Sequence, residues 1–147
     1  MSKARQVTDF PLLTRFKQFY RNIRQTPLDE ILTIYADDVV FKDPIHKISG
    51  VAELRSYLER MNSNVIEGKF EYLDQLVGAN SAYIKWDMSF RHPRLGNDMI
   101  WVRGMTHIQF SSRIYFHEDS YDVGAMLYEH VPLIGTGARF LKHRLSA

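Results

Sequence analysis

The chain has 147 residues, 24% of them charged and 45% hydrophobic, with 19 basic against 17 acidic side chains. A chain of that length is expected to form a single domain over residues 1–147 that buries roughly 70% of the surface its unfolded form exposes, and the lack of any cysteine excludes disulfide scaffolds, zinc fingers, iron–sulfur clusters and thiol nucleophiles. The net charge of +2 with scattered basic residues gives no nucleic-acid footprint, and no apolar run suits a signal peptide or a membrane helix, so the expected setting is the cytoplasm, with neither nucleic acid nor membrane as partner.

Leu12, Phe16, Phe19, Tyr20 and Ile23 recur at helical spacing behind Pro11, a residue suited to the first helical turn. Thr26-Pro27, with Asp29 and Glu30 behind it, predicts a second, short helix that ends near Ala36 and buries Leu28, Ile31, Leu32 and Tyr35. Val39 to Lys42 favour a strand, and Pro44 forces Asp43 into extended backbone at its end. Gly50 opens a third helix with Val51, Leu54, Leu58 and Met61 inward, stopped by Asn62-Ser63-Asn64. The period then changes to 2, which predicts strands from Phe70 to Val77, Ala82 to Arg91, Met99 to Phe110 and Ile114 to Tyr121. Short breaks between them favour one strongly bent antiparallel meander, so the expected class is α+β, with a helical extension after Asp122.

The run from Leu28 to Pro44, followed by Gly50 and a short helix, is similar to the opening of the nuclear-transport-factor-2-like superfamily. The closing run His117-Glu118-Asp119-Ser120-Tyr121-Asp122 resembles the last strand of its SnoaL-like, ketosteroid-isomerase-like branch. The resemblance implies a cone in which three N-terminal helices cap a bent sheet around a pocket. Members of that superfamily include isomerases, polyketide cyclases and dehydratases as well as non-catalytic binding and dimerising modules, so function has to be argued from the site.

Strand parity puts Asp43 on the side of Val39 and Phe41, where a carboxylate must be solvated, hydrogen-bonded or raised in pKa. The resemblance implies a proton-abstracting role there, while the residues alone fit equally an acceptor for the turn at Pro44 and Ile45. In the isomerase branch two donors face the developing oxyanion, and the matching positions here hold Phe19 and Thr106, which argues against efficient ketosteroid isomerisation unless Tyr20, Tyr35 or Tyr57 substitutes. Asp122 resembles the acid–base aspartate of the polyketide-cyclase branch, and it also suits a helix cap.

Alternation through Ile114 and Phe116 sends Glu118 inward and His117, Asp119 and Tyr121 outward, although a bulge would exchange them. His117 and Asp119 alone make a poor metal site, so no metal or other cofactor is expected. Phe19, Phe41, Tyr57, Trp86 and Phe90 share the inward parity and suit either a pocket for a flat apolar molecule or a filled core. Trp101, Arg103, Met105 and His107 share the opposite face of their strand, which the resemblance and the residue types assign to a homodimer interface. Gly135-Thr136-Gly137 is too sparse for a dinucleotide loop, and Arg139, Lys142, His143 and Arg144 beside Phe140, Leu141 and Leu145 predict a basic amphipathic helix.

Overall fold

Pro11 begins helix α1 (Pro11–Tyr20), where its missing amide hydrogen costs nothing, and the helix buries Leu12, Leu13, Phe16 and Phe19. The structure is a computed structural model that describes residues 10–96, 98–126, 140–141 and 143–146. Two 3₁₀ turns follow, Ile23–Gln25 and Leu28–Thr33. The expected second α-helix is therefore a 3₁₀ segment, and strand β1 (Tyr35–Lys42) starts before the anticipated Val39. Tertiary pairing decides this: the Ile114 amide bonds the Ile34 carbonyl at 2.8 Å and Tyr35 pairs with Ile114, so Tyr35 is drawn into the sheet.

An edge strand that the sequence pattern did not predict, β2 (Lys47–Ser49), pairs antiparallel with β1. Helix α2 (Val51–Asn64) starts after Gly50, whose φ of 90° is the left-handed backbone that favours glycine, and it packs on β1 through its buried face of Leu54, Tyr57 and Leu58. Strands β3 (Glu67–Val77), β4 (Ser81–Arg91), β5 (Ile100–Phe110) and β6 (Ile114–Tyr121) then run as the expected antiparallel meander.

The sheet order is β2-β1-β6-β5-β4-β3, and β1 lies parallel to β6. The fold is α+β as expected, but the sheet is mixed and open rather than wholly antiparallel. The return of the chain through α2 and the meander brings β6 alongside β1 in the same direction, a connection long enough for a parallel pair. α1 and α2 cover one face of this sheet, and Phe16, Phe19, Leu54, Ile84, Ile108 and Ile114 form the centre of the core beneath them. Each such side chain contributes about 1.5–3 kcal/mol on burial.

β6 departs from simple alternation. Gln109 pairs with Phe116 and Phe110 with Ile114, which leaves Tyr115 as an extra residue. Tyr115 and Phe116 consequently both lie on the outer side, Phe116 against the His107 ring at 5.6 Å, and His117 turns inward to 2% exposure. Beyond β6 a short helix, α3 (Val123–Met126), follows Asp122. Residues 140–141 and 143–146 are helical, with Phe140, Leu141 and Leu145 exposed rather than packed, while Gly135 to Arg139 and Lys142 lie outside the described residues. No helix among the described residues is long and apolar enough to cross a membrane.

Candidate functional site

Between α2, the 3₁₀ turns and the concave side of the sheet lies a cavity of about 250 Å³. Its walls are largely aromatic: Tyr20 from α1, Phe41 from β1, Tyr57 from α2, Phe70 from β3, Trp86 from β4 and Tyr121 from β6. Asp43 and Asp119 add the carboxylates, and His46 the remaining ionisable group among the described lining residues. A small void of about 20 Å³ beneath it reaches Thr106 and His117.

At the mouth, Asp43 closes the β1–β2 turn. Its Oδ1 accepts from the backbone amides of Ile45 at 2.8 Å and His46 at 2.6 Å, and Oδ2 accepts from the Tyr57 hydroxyl at 2.9 Å. The His46 ring stands 3.1 Å from both oxygens, and the Asp43 side chain is only 3% exposed. Burial first, and then the adjacent Asp43 carboxylate, push the Tyr57 hydroxyl far above the usual phenol range, so it remains a donor.

Deeper in, six side chains form one continuous chain of hydrogen bonds. Tyr20 and Tyr35 hydroxyls meet at 2.5 Å, Tyr35 reaches His117 Nδ1 at 2.8 Å, and His117 Nε2 reaches Asp119 Oδ1 at 2.8 Å. From the other side Trp86 Nε1 donates to Thr106 Oγ1 at 2.8 Å, and the Thr106 hydroxyl donates to the same Asp119 Oδ1 at 2.5 Å. For a neutral His117 beside an ionised Asp119, the ring carries its hydrogen on Nε2, Nδ1 accepts from Tyr35, and Tyr35 accepts from Tyr20. Burial holds the Tyr20 and Tyr35 hydroxyls well above the usual phenol range. Among the described residues Asp119 Oδ2 takes no partner, and the side chain is 18% exposed and lines the cavity.

Register explains how distant residues meet. Thr106 pairs with Asp119 across β5 and β6, and Trp86 pairs with Gly104 across β4 and β5. A β-carbon at Gly104 would collide with the Trp86 six-membered ring, so the absence of a side chain there lets the indole lie flat across β5 and reach Thr106.

Of the residues anticipated for the site, Asp43, Tyr20, Phe41, Tyr57 and Trp86 line the cavity. Thr106 sits one layer below it, held between Trp86 and Asp119. Phe19 and Phe90 do not line it: both are buried in the core, at 2% and 6% exposure. Glu118 is corrected outright, because the Tyr115 bulge turns it to the outer face opposite His107 and Lys42. Asp122 is exposed just past the end of β6, away from the cavity lining. The same bulge brings His117, Asp119 and Tyr121 inward, against simple alternation. Gly104, at the inward parity between Val102 and Thr106, was the sequence signal for a close approach.

No group of three or more histidine, aspartate or glutamate side chains among the described residues converges as a metal site, and His117 and Asp119 are bonded to each other. Tyr121 lines the cavity with a hydroxyl that bonds no other group among the described residues, and burial, with the nearby Asp43 and Asp119 carboxylates, pushes that phenol above its usual range.

An open mixed sheet with helices on one face is the arrangement this chain shares with solved proteins of nuclear-transport-factor-2-like and ketosteroid-isomerase-like fold. The model of the SnoaL-like domain matches residues 16–114, and the chain belongs to that SnoaL-like family. Among solved structures, a protein assigned as a SnoaL-like polyketide cyclase from Shewanella putrefaciens CN-32 is 17% identical, with 79% of this chain and 90% of that one covered at a TM-score of 0.68. A protein assigned as an isomerase from Rhodopseudomonas palustris is 22% identical over 86% and 98% of the two chains, with a TM-score of 0.70. A protein with a ketosteroid-isomerase-like fold from Catenulispora acidiphila DSM 44928, solved with trimethylamine, is 13% identical over 82% and 92%, with a TM-score of 0.71. These likenesses establish the fold. No curated protein matches the chain.

Proposed function

We propose that the chain binds a small, largely apolar organic molecule in this cavity and moves a proton on it without a cofactor. Asp119 is the base and Tyr121 the donor to the oxygen on which charge develops. The observation that carries this reading is the Asp119 carboxylate, oriented by His117 and Thr106 on one oxygen and left open to the cavity on the other. Tyr121 lies two residues further along the same strand, so both groups face one bound molecule. Asp43 shares the cavity, but its oxygens are taken up by the turn and by Tyr57. The Tyr20 hydroxyl is engaged with that of Tyr35, whereas that of Tyr121 bonds no other group among the described residues.

The test is solvent-deuterium exchange and turnover on a panel of cyclic ketones and enones. Asp119→Asn should lose roughly a hundredfold or more of the activity of the parent chain, Tyr121→Phe a comparable factor for one oxyanion donor, and Asp43→Asn less than tenfold. Loss confined to Asp43→Asn would move the base to the mouth of the cavity. Binding without exchange in the parent chain would make the domain a non-catalytic binding module.

We propose in addition that two copies pair through the outer sheet face. Trp101 and Met105 are exposed there at 58% and 44%, and His107 stacks on Tyr83 with ring centres 4.3 Å apart. Arg103, on the same face, is held by Asp87 at 2.7 Å.

A further inference from the structure

The cavity holds charges of one sign. Asp43 and Asp119 both line it, and no lysine or arginine stands among its described lining residues. The bonds that Asp43 receives come from backbone amides and a neutral phenol, with His46, 45% exposed, as its single ionisable neighbour. Asp119 receives a threonine hydroxyl and the ring of His117, both on Oδ1. Hydrogen bonds of this kind satisfy a carboxylate's lone pairs without cancelling its charge, and a buried charge is costly until something of opposite sign joins it.

The walls add to the same field. Aromatic rings present negative faces, and those of Phe70 and Trp86 meet edge to face at 5.0 Å in the cavity wall, with Tyr121 6.4 Å from Trp86. Beyond the effect of burial, both carboxylates push the Tyr57 and Tyr121 phenols upward, so the two negative centres act on one common space. The whole chain carries a net charge of +2, so this acidic enclosure is a local exception. A neutral apolar guest would leave both carboxylates without a partner of opposite charge.

We infer that the molecule the cavity takes is a small organic cation, an amine or quaternary ammonium on a compact apolar body. Aromatic walls and two carboxylates attract the same charge. A cavity of about 250 Å³ exceeds the ~150 Å³ that accepts a benzene molecule, which leaves room for a ring plus a substituted nitrogen. This inference rests on reading the cavity as the ligand site, and the experiment separates the two.

The experiment is isothermal titration calorimetry of the purified chain at neutral pH with phenyltrimethylammonium and with its neutral isostere, tert-butylbenzene. The cation should bind at least about tenfold tighter than the isostere. Asp119→Asn and Asp43→Asn should each weaken the cation by about tenfold while leaving the isostere nearly unchanged. Phe70→Leu, which keeps both carboxylates and serves if an aspartate variant fails to fold, should weaken the cation by roughly threefold or more. Equal or tighter binding of tert-butylbenzene would overturn the inference and leave the cavity as a ligand site. Binding of neither compound at millimolar concentration would overturn both.

Discussion

Asp43 and Asp119 are buried carboxylates in one cavity, yet they are held in opposite ways. Asp43 is fixed by its own turn: two of its bonds go to backbone amides two and three residues away, and the rest come from neighbours on the rim. Asp119 is fixed by side chains from other strands and, through His117, by Tyr35 and Tyr20. A carboxylate consumed by local backbone supports shape, whereas one oriented from a single side keeps an oxygen for chemistry. The difference lies in which partners the sheet brings together, since residue type and cavity are shared.

The largest break of that contrast is expected inside the chain of hydrogen bonds. His117→Leu takes one of two partners from both the Tyr35 hydroxyl and Asp119 Oδ1 and should cost about 3–5 kcal/mol in urea unfolding, against about 1 kcal/mol for Asp43→Asn, whose amide oxygen still accepts the turn bonds. A greater loss for Asp43→Asn would reverse the comparison. Gly104→Ala comes next. Its methyl group collides with the Trp86 ring, so overpacking should cost about 1–3 kcal/mol and lengthen the Trp86 to Thr106 bond, which a red-shifted, broadened indole emission would report.

Alkaline pH tests the inner region by itself. Unfolded phenols ionise near pH 10, whereas burial keeps Tyr20, Tyr35 and Tyr72 protonated in the folded chain. Above about pH 10 the unfolded state therefore releases protons that the folded state retains, and stability should fall by about 1.4 kcal/mol per pH unit for each such phenol. Urea midpoints at pH 9 and 11 measure it, and a flat profile would mean that these hydroxyls reach solvent. At the mouth, Tyr57→Phe removes one bond to Asp43 and should cost only about 1 kcal/mol. The smallest effect on folding is expected outside the cavity: Trp101→Glu should change stability by less than about 0.5 kcal/mol while converting a dimer to a monomer in light scattering, and an unchanged dimer would point to another surface.

The sequence made the α+β class legible because the change of period from helix to strand is strong, and the inward positions of β4 and β5 followed alternation from Ala82 to Phe90 and from Ile100 to Phe110. It made the mouth legible too, since Asp43-Pro44 at a strand end is a local signal. The inner site was not local. Tyr35 belongs equally well to a helical stripe and to a strand, and pairing with Ile114 decided between them. His117 and Asp119 were assigned to the wrong face because nothing in Ile114-Tyr115-Phe116 says which aromatic is the extra residue. The parallel pairing of β1 with β6 escaped for the same reason, being fixed by contacts some 80 positions apart.

The bulge at Tyr115 sets the phase of everything after it. Pairing Tyr115 into the ladder, without the bulge, would turn the end of the strand inside out, presenting Glu118 and Ser120 to the cavity and sending His117, Asp119 and Tyr121 to the outside. Without Tyr115 altogether, Ile114, Phe116 and His117 would still alternate inward, outward and inward, so what fixes the site is the pairing of Phe116 with Gln109. Substitutions at exposed Tyr115, and its single-codon deletion, should both leave His117, Asp119 and Tyr121 inward, while a slip of the strand by one residue would exchange one constellation of ionisable groups for another on the same backbone. Register, more than composition, is the variable by which this strand would acquire or lose a chemistry.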